Sequence, residues 1–207
     1  MENSFTAMTV DTYSQELASK APVPGGGGAA AVCGALACAL GCMVGNLTIG
    51  KAKYAANEPR LRVLGERAEA LRRELLLLSD ADAAAFAPLS KAYGLPKDDP
   101  AREETLERCL LAAAEPPMEI LRRSCEMIRL SEEYAALGSV LLLSDAGCAA
   151  TLAAASAKAA ALNVQVNTRL MKNRSRAQAM DRELESLLAE ALPLADKVYR
   201  QVAEALK

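Results

Sequence analysis

The sequence predicts an all-α fold, namely an antiparallel bundle of long helices that forms a single domain over residues 1–207. Three observations support this prediction. Apolar residues recur at helical spacing along most of the chain, and neither an alternating strand nor a hairpin signal is convincing. The composition is 52% hydrophobic but only 3% aromatic, whereas strands favour β-branched and aromatic residues. A chain of 207 residues is also long enough to bury a core without disulfide bonds.

The first elements stand on either side of a glycine run. Apolar residues at helical spacing predict a short amphipathic helix over about residues 9–20. Residues 22–28, Pro-Val-Pro-Gly-Gly-Gly-Gly, then predict a rigid turn before a long helix over about residues 29–50. The glycines place backbone N–H groups at the start of that helix, where a ligand could approach closely. A flexible turn that lets two helices cross tightly is an equally good interpretation.

The second predicted helix needs a separate argument, because residues 21–50 carry no charge and must be weighed as a membrane span. Ala, Gly and Cys dominate this stretch, so it is less hydrophobic than the Leu- and Ile-rich segments that span membranes. Gly34, Gly41 and Gly45 indicate a surface for close helix packing. Because charge-rich amphipathic helices surround it, we favour the buried central helix of a soluble bundle over a membrane-embedded protein.

Prolines, glycines and capping residues delimit the remaining helices. The predicted starts are Asn57-Glu58-Pro59, Asp98-Asp99-Pro100, Pro116-Pro117, Ser144-Asp145 and Ser175. The predicted ends are near Tyr93, Ala114, Gly138, Met171 and the C-terminus, with a kink before Pro193. The apolar connection at residues 139–143 is expected to be buried or interfacial.

The composition excludes several classes of chemistry and partner. Histidine is absent, so Ser-His-Asp and Cys-His catalysis are impossible, and an acid or base must be Asp, Glu, Lys, Tyr or Cys. None of the six cysteines forms a CxxC pair, which favours buried small hydrophobes over a metal site. A net charge of −2 gives no general attraction to nucleic acid. The lack of a basic, then apolar, N-terminal segment predicts a cytoplasmic protein, in which the six thiols stay reduced.

Two glycine-containing segments resemble nucleotide-binding motifs only superficially. Residues 45–52 are close to a phosphate-binding P-loop, but Ala52 stands where Ser or Thr would hold magnesium, and a helix precedes the segment instead of a strand. Residues 25–30 fit the loose GxGxxA pattern, as any glycine run does, and no βαβ unit surrounds them. We therefore reject a nucleotide site at both places.

Five segments carry a resemblance to a known family. They are residues 22–27 with 46–54, residues 80–86, residues 95–97, residues 138–145 and residues 163–167, and their order and spacing cover about residues 9–172. Together they resemble the cyclodeaminase/cyclohydrolase family. This family comprises the C-terminal domain of formiminotransferase-cyclodeaminase and the free-standing methenyltetrahydrofolate cyclohydrolases. The resemblance implies an all-α fold, an obligate homodimer or higher homo-oligomer, a tetrahydrofolate substrate carrying a one-carbon group, and no metal or redox cofactor.

Asp82 matches the catalytic aspartate of the family. It also falls on the apolar stripe that contains Leu78 and Phe86, so it should face inward, whereas Asp80 should face elsewhere. An apolar pocket would raise the pKa of Asp82 toward the range that general acid/base catalysis requires. The alternative is that Asp82 pairs with a lysine or caps a neighbouring helix.

The matched segments also carry candidate substrate-binding residues, which are Pro24, Gly25, Gly26, Gly27, Lys51, Lys53, Lys97, Asp145, Asn163 and Asn167. The resemblance implies that the three lysines face the glutamate carboxylates of the folate tail and that the two asparagines bind the pterin. Each has a simpler alternative, because the lysines could be solvated, Asp145 could cap its helix, and the asparagines could link helices.

The expected activity is that of a methenyltetrahydrofolate cyclohydrolase or a formiminotetrahydrofolate cyclodeaminase. The chain departs from the family pattern at two positions, because Gly28 stands where Ser is usual and Ser139 stands where Asn is usual. A polar side chain is lost or shortened at each position. These departures support an alternative, a non-catalytic folate-binding or scaffold dimer.

Overall fold

The computed structural model describes residues 4–207, and all regular structure within that range is helical. The helices are α1 (Val10–Leu17), α2 (Gly26–Thr48), α3 (Glu58–Tyr93), α4 (Arg102–Leu137), α5 (Leu143–Thr168) and α6 (Arg174–Ala205). Short 3-10 turns lie at Phe5–Ala7, Ala52–Asn57 and Val140–Leu142. The prediction of an all-α fold is confirmed.

Helix α2 lies at the centre of the domain and packs against α3, α4 and α5, while α6 covers α4 and α5. Its buried positions are almost all Gly, Ala or Cys, which lets the neighbouring helices approach closely. At Gly41, for example, an added Cβ would lie 2.7 Å from the Met127 Cε atom and 2.8 Å from the Tyr134 ring. The chain leaves α2 through a turn at Gly50, whose φ of 85° lies in the left-handed region. This helix-to-turn geometry agrees with the rejection of a P-loop.

Helix α4 corrects the prediction of two helices in this region. It runs unbroken from Arg102 to Leu137, so Pro116-Pro117 lies inside a helix and does not start one, and Ala114 is not an end. A proline inside a helix deprives the carbonyl four residues earlier of its partner. For Pro116 that carbonyl belongs to Ala112, an exposed residue, where water can take the place of the missing N–H group.

Pro117 presents the harder case, because the carbonyl that it deprives belongs to the buried Ala113. The side-chain Nδ2 of Asn167 on α5 donates to this carbonyl at 3.3 Å. The sequence signal of two prolines was therefore misleading, since a side chain distant in sequence supplies the donor that the backbone lacks. Helices α3 and α6 likewise continue through Pro88 and Pro193.

The predicted caps of α5 and α6 are wrong. The 3-10 turn at Val140–Leu142 leads directly into α5, so Ser144 and Asp145 lie inside the first helical turn and no side chain caps it. A carboxylate there still interacts favourably with the helix dipole. At α6 the cap is Asn173, whose side chain accepts a hydrogen bond from the Arg176 N–H group at 3.1 Å, and Ser175 is already helical.

Two segments, Gly26–Thr48 and Val140–Thr168, are long and apolar enough to cross a membrane. Length and composition alone select them, and the core helices of a helical domain meet the same criteria. In this fold, 56% and 39% of the residues in their most apolar stretches are buried. The exposed remainder of both segments includes large apolar side chains, among them Leu36 and Leu162.

Candidate active site

A cavity of about 180 Å³ opens at the N-terminal end of α2, and we call it the Asp82 cavity. Its wall combines one carboxylate and two side-chain amides with aromatic and apolar groups. The lining residues are Pro22, Val23, Gly25, Gly26, Asp82, Phe86, Leu89, Tyr93, Ala113, Pro117, Asn163, Val166 and Asn167. The cavity therefore brings together groups from α3, α4, α5 and the turn before α2.

The glycine run has a different role from the predicted turn. Helix α2 begins at Gly26, three residues before the predicted start at Ala29, with Gly25 as its N-cap. These glycines have ordinary negative φ values, since the positive φ values within residues 4–207 are confined to Gly50. Backbone conformation therefore does not require glycine at these positions, so the reason for glycine must be the space around them.

Space is the reason for glycine at two consecutive positions. A Cβ on Gly27 would overlap the carboxylate of Asp82, and a Cβ on Gly26 would lie 3.0 Å from the Asn163 Nδ2 atom. Asp82 from α3 and Asn163 from α5 thus lie directly against the backbone of the first turn of α2. The helix end and the two polar side chains form one polar wall of the cavity.

Two opposing effects set the pKa of Asp82. Burial raises it from 3.8 to about 6, while the Gly28 N–H group at the start of α2 acts to lower it. A carboxylate that simply capped a helix would have a lowered pKa, because hydrogen bonding and the helix dipole favour the charged form. The net increase shows that desolvation dominates. No cation among residues 4–207 contributes to this pKa, so pairing with a lysine does not describe Asp82.

Asp80 faces away from the Asp82 cavity, as predicted, and has a structural role. Its carboxylate accepts hydrogen bonds from the Ser4 hydroxyl at 2.5 Å and from the Phe5 N–H group at 2.9 Å. These bonds attach the N-terminal 3-10 turn to α3. Two carboxylates two residues apart therefore serve different ends, one fixing a segment and one facing a cavity.

The two asparagines of α5 differ in their hydrogen bonds, because Asn167 links two helices whereas the side-chain bond of Asn163 stays within α5. Asn163 Nδ2 donates to the Ala159 carbonyl at 2.9 Å, and Asn167 Nδ2 donates to the Asn163 carbonyl at 2.9 Å in addition to Ala113. Both residues also line the Asp82 cavity. Backbone carbonyls thus hold the amide donors in place, and the amide oxygens remain available to a ligand.

Lys51, Lys53 and Asp145 do not reach the Asp82 cavity within one chain. They lie beyond the C-terminal end of α2, which is about 34 Å long at 1.5 Å per residue. We call this region the far end. There Lys51 Nζ donates to the Ser139 hydroxyl at 3.4 Å, and Lys53 lies 5.5 Å from the centre of the Tyr54 ring.

Lys97 and Pro24 have intermediate positions. Lys97 lines an open groove between α3 and α4 that shares Tyr93 with the Asp82 cavity, so it lies beside the cavity and not in it. Pro24 is buried behind the turn, where it packs near Gly28. Within residues 4–207 no group of three Cys, Asp or Glu side chains is arranged to hold a metal ion.

Several residues of the Asp82 cavity were not predicted from the sequence, although a signal existed for some of them. Leu89 and Tyr93 continue the helical stripe of Asp82 and Phe86 at spacings of three and four residues. Pro117 was missed because it was interpreted as a helix start. No local pattern marks Val166, which reaches the cavity only through the packing of α5.

Comparison with known proteins gives a consistent result. The profile of the family described as formiminotransferase-cyclodeaminase matches residues 9–186. A methenyltetrahydrofolate cyclohydrolase of Methylorubrum extorquens is 43% identical over 198 residues, which cover 94% of this chain and 95% of that protein. The formimidoyltransferase-cyclodeaminase of Mus musculus is 29% identical over 92% of this chain, which spans only 36% of that longer protein.

A solved structure shares the fold. The crystal structure of formiminotetrahydrofolate cyclodeaminase from Thermotoga maritima superimposes with a TM-score of 0.83 at 29% sequence identity. The match covers 97% of this chain and 96% of that one.

Proposed function

This chain belongs to the formiminotransferase-cyclodeaminase family, and from that premise we propose how it acts on its folate substrate. It is a folate one-carbon enzyme of the cyclohydrolase/cyclodeaminase type. We propose that its principal activity is that of a methenyltetrahydrofolate cyclohydrolase. The relative with that name is 43% identical and matches over 95% of its length, whereas the bifunctional relative from mouse is 29% identical.

The proposed mechanism uses Asp82 as a general acid/base. Water attacks the methenyl carbon of the cyclic substrate while ionised Asp82 accepts a proton from that water. The carboxylic acid then returns the proton to the ring nitrogen as the C–N bond breaks and the ring opens, and the hydroxyl proton of the intermediate leaves to solvent as the formyl C=O bond forms. A pKa of about 6 for Asp82 suits both steps near neutral pH, because both the ionised and the protonated form of the carboxyl group are accessible there.

The same carboxylate also suits cyclodeamination. In that reaction one folate nitrogen attacks the formimino carbon and loses a proton, and ammonia leaves after gaining one. Asp82 meets both requirements in sequence, so the two reactions need the same residue in the same cavity. We therefore expect any deaminase activity to depend on Asp82 as well.

One observation carries the proposal: within residues 4–207, Asp82 is the single carboxylate in the lining of a cavity that otherwise offers amides, aromatic rings and apolar groups. The test is turnover of methenyl- and formimino-tetrahydrofolate by the parent protein, Asp82→Asn and Asp80→Asn. Loss of general acid/base catalysis should lower kcat of Asp82→Asn by roughly 10²- to 10⁴-fold. Asp80→Asn is the matched control and should keep near-parental kcat. Parental turnover by Asp82→Asn would exclude the assigned role.

The non-catalytic alternative makes a different prediction. A folate-binding scaffold would bind both compounds tightly, as measured by calorimetry, and convert neither. It draws support only from the departures at Gly28 and Ser139. Turnover of either substrate above the uncatalysed rate would exclude it.

We propose that the protein is a homodimer formed through α2 and α5. These helices pack on each other, and each exposes small or apolar side chains seven residues apart, which is the spacing of helix-packing surfaces. On α2 the outermost is Leu36, 56% exposed, and on α5 it is Leu162, 67% exposed. Apolar surface of this extent favours association with a second copy; the face of α2 carries no charge, and that of α5 carries the exposed Lys158 beside Leu162.

An antiparallel dimer would also explain the residues at the far end. With α2 of one subunit against α2 of its partner, the far end lies beside the N-terminal end of the partner's α2. Lys51 and Lys53 would then approach the Asp82 cavity of the partner subunit, where they could bind the glutamate carboxylates of the folate tail. We propose that each site is completed in this way.

We propose that the enzyme works without a metal or redox cofactor, since the chemistry requires only proton transfer. We also propose a soluble, cytoplasmic protein, which fits six cysteines that are all free. Recovery in the soluble fraction without detergent is the direct test of solubility. Recovery only from membranes would overturn it.

A further inference from the structure

Two buried hydroxyl groups next to Asp82 have no assigned role. Tyr13 on α1 and Ser79 on α3 each place a buried hydroxyl oxygen where no group within residues 4–207 forms a hydrogen bond with it. Both oxygens border Gly28, because a Cβ there would lie 3.2 Å from Ser79 Oγ and 3.3 Å from Tyr13 Oη. We call Tyr13 and Ser79 the hydroxyl pair. They lie against the same helical turn as Asp82, one residue further along α2.

Ser79 differs from the other buried serine and threonine residues in the helices of this protein, because each of those has a hydrogen-bond partner. Thr48, Ser131 and Thr151 each donate to the carbonyl four residues earlier, at 2.7, 2.8 and 2.9 Å. That bond is the usual way to satisfy a hydroxyl inside a helix. Ser79 is fully buried and does not make it. Its hydroxyl is directed toward the first turn of α2 and leaves its own helix carbonyl unused.

Tyr13 is linked electrostatically to both Ser79 and Asp82. Burial is the main reason why the pKa of Tyr13 is raised, and the charge of Asp82 also acts to raise it. The nearby Ser79 hydroxyl acts to lower it as a hydrogen-bonding group, although the two oxygens do not meet the geometry of a hydrogen bond in this structure. Ser79 itself precedes Asp82 by three residues, so their side chains leave α3 on the same face. The three groups therefore share one small region of low polarity.

We propose that Tyr13 and Ser79 are positioning residues that control the protonation of Asp82 during turnover. This proposal rests on the function proposed above for Asp82. A hydroxyl group both donates and accepts. Neither hydroxyl forms a direct hydrogen bond with Asp82 in this structure, so the pair would act through the orientation of its O–H dipoles, turned toward Asp82 when it is ionised and away when it carries the proton. Such donors favour the ionised base and oppose the effect of burial.

Few other charged or titratable groups lie close enough to Asp82 to influence its pKa. Helix α2 contributes its N-terminal N–H groups and no charged side chain, and α3 contributes Tyr93 at the cavity and Asp80 nearby. The cavity residues of α4 and α5 do not titrate. Removal of either member of the hydroxyl pair should therefore act directly on the pKa of Asp82, and should raise it.

Gly28 provides the space that the pair occupies. A side chain at this position would press on both hydroxyls, since contacts of 3.2 and 3.3 Å are tight for a Cβ atom. The resemblance noted above places Ser at this position in related proteins. In this chain hydroxyl groups from α1 and α3 border the position, which gives the glycine there a physical reason.

The experiment compares Tyr13→Phe, Ser79→Ala and the double variant with the parent protein. Two readouts are needed: the pH dependence of kcat/KM for methenyltetrahydrofolate, and the NMR titration of ¹³C-labelled aspartate, with Asp82 assigned from its loss in Asp82→Asn. Each single variant should raise the pKa of Asp82 by roughly 0.5 to 1. The acidic limb of the rate profile should move by the same amount, and KM should not change.

Controls separate this effect from a loss of packing. Tyr134→Phe removes another buried, unpaired hydroxyl that lies near Gly45, about 27 Å along α2 from Gly27, and Ser131→Ala removes a buried serine hydroxyl. Neither should move the titration. Gly28→Ser in the Ser79→Ala background returns a hydroxyl to the same space and should restore part of the parental profile.

Unchanged titrations in Tyr13→Phe and Ser79→Ala would overturn the proposal, as would equal shifts in the controls. The NMR readout does not depend on turnover. Failure of the function proposed for Asp82, seen as an active Asp82→Asn variant, is therefore distinguishable from failure of the hydroxyl pair.

Discussion

Asp82 combines burial with a helix N-terminus, and the balance of the two sets its chemistry. The N-terminal turn of α2 stabilises a negative charge, but the surrounding apolar groups disfavour it more strongly, so the pKa rises to about 6. The glycine at position 27 makes this arrangement possible, because no other residue lets the carboxylate lie on the helix backbone. The raised pKa of Asp82 thus depends on the absence of a side chain at Gly27 and on the burial of the carboxylate.

The raised pKa predicts that Asp82→Asn is more stable than the parent protein above pH 6. An acid whose pKa is raised by folding binds its proton more tightly in the native state, so stability falls as pH rises from 3.8 to about 6. The destabilisation of the fold by ionised Asp82 is fully present above pH 6 and absent below pH 4. The shift corresponds to at most about 3 kcal/mol, because the side chain keeps some contact with solvent.

The measurement is Tm of both proteins at pH 8 and pH 4. Asp82→Asn should melt several degrees higher at pH 8, and the difference should disappear at pH 4. Asp80→Asn is the control and should show no such gain, because Asp80 accepts two hydrogen bonds in the fold. Equal Tm values for Asp82→Asn and parent at pH 8 would contradict the burial of the charge.

Gly27→Ala should inactivate the enzyme without unfolding it. The new Cβ would overlap the Asp82 carboxylate and displace it, and a catalytic group misplaced by about 1 Å can lose roughly 10²-fold in rate. Gly65→Ala is the matched control, since a Cβ at that helical position meets nothing within 4 Å. The checks are kcat and the far-UV circular dichroism spectrum. A parental kcat in Gly27→Ala would refute the close contact.

At the scale of the element, helix periodicity placed Asp82 on the inner face of α3 and set the bounds of that helix correctly at Glu58–Tyr93. It failed for α4 because prolines were taken as boundaries. A proline stops a helix only when the orphaned carbonyl finds no other donor. Whether Asn167 on α5 supplies that donor depends on packing between distant segments, which a local pattern does not encode.

The bond from Asn167 to the Ala113 carbonyl should couple energetically to Pro117. Asn167→Leu removes the side-chain donor and leaves a buried carbonyl unpaired, which should destabilise the fold by about 1 to 3 kcal/mol. In a Pro117→Ala background the new N–H group can donate to the same carbonyl. Asn167→Leu should then be less destabilising, by about 1 kcal/mol.

Urea denaturation of the four proteins in this cycle measures the coupling. The matched control is Asn163→Leu in the same two backgrounds, because Asn163 donates to Ala159 and not to Ala113. Its effect should be additive with Pro117→Ala. An additive result for Asn167 as well would show that the bond does not compensate for the proline.

At the scale of the whole molecule, the segments of the family resemblance divide between the two ends of α2. Residues 22–27, 80–86 and 163–167 meet at the Asp82 cavity, while residues 46–54 and 138–145 meet at the far end. The sequence predicted the residues of both groups as one set of candidate substrate-binding positions and did not predict their separation, because spacing along a chain does not reveal which ends of long helices coincide. A second subunit is the simplest way to bring the two groups together.

Dimerisation through α2 and α5 predicts that charges on this face produce monomers. Leu36→Glu and Leu162→Glu each place a charge in the proposed interface, where its burial would be unfavourable. Light scattering after size-exclusion chromatography should give half the parental mass. Leu77→Glu is the control, since Leu77 on α3 is 70% exposed and lies outside the proposed face. Dimers in all three variants would place the interface elsewhere.

A site shared between subunits makes a stronger prediction, because two inactive variants should then complement each other. Asp82→Asn lacks the carboxylate, and Lys51→Ala/Lys53→Ala lacks the cations of the far end. In a mixed dimer one site has both defects and the other has none. Mixed dimers purified through two different affinity tags should therefore show about half the parental rate at substrate concentrations below KM. If Asp82 and the lysines acted within one subunit, each site would retain one defect, and the mixed dimer would stay as inactive as its parents.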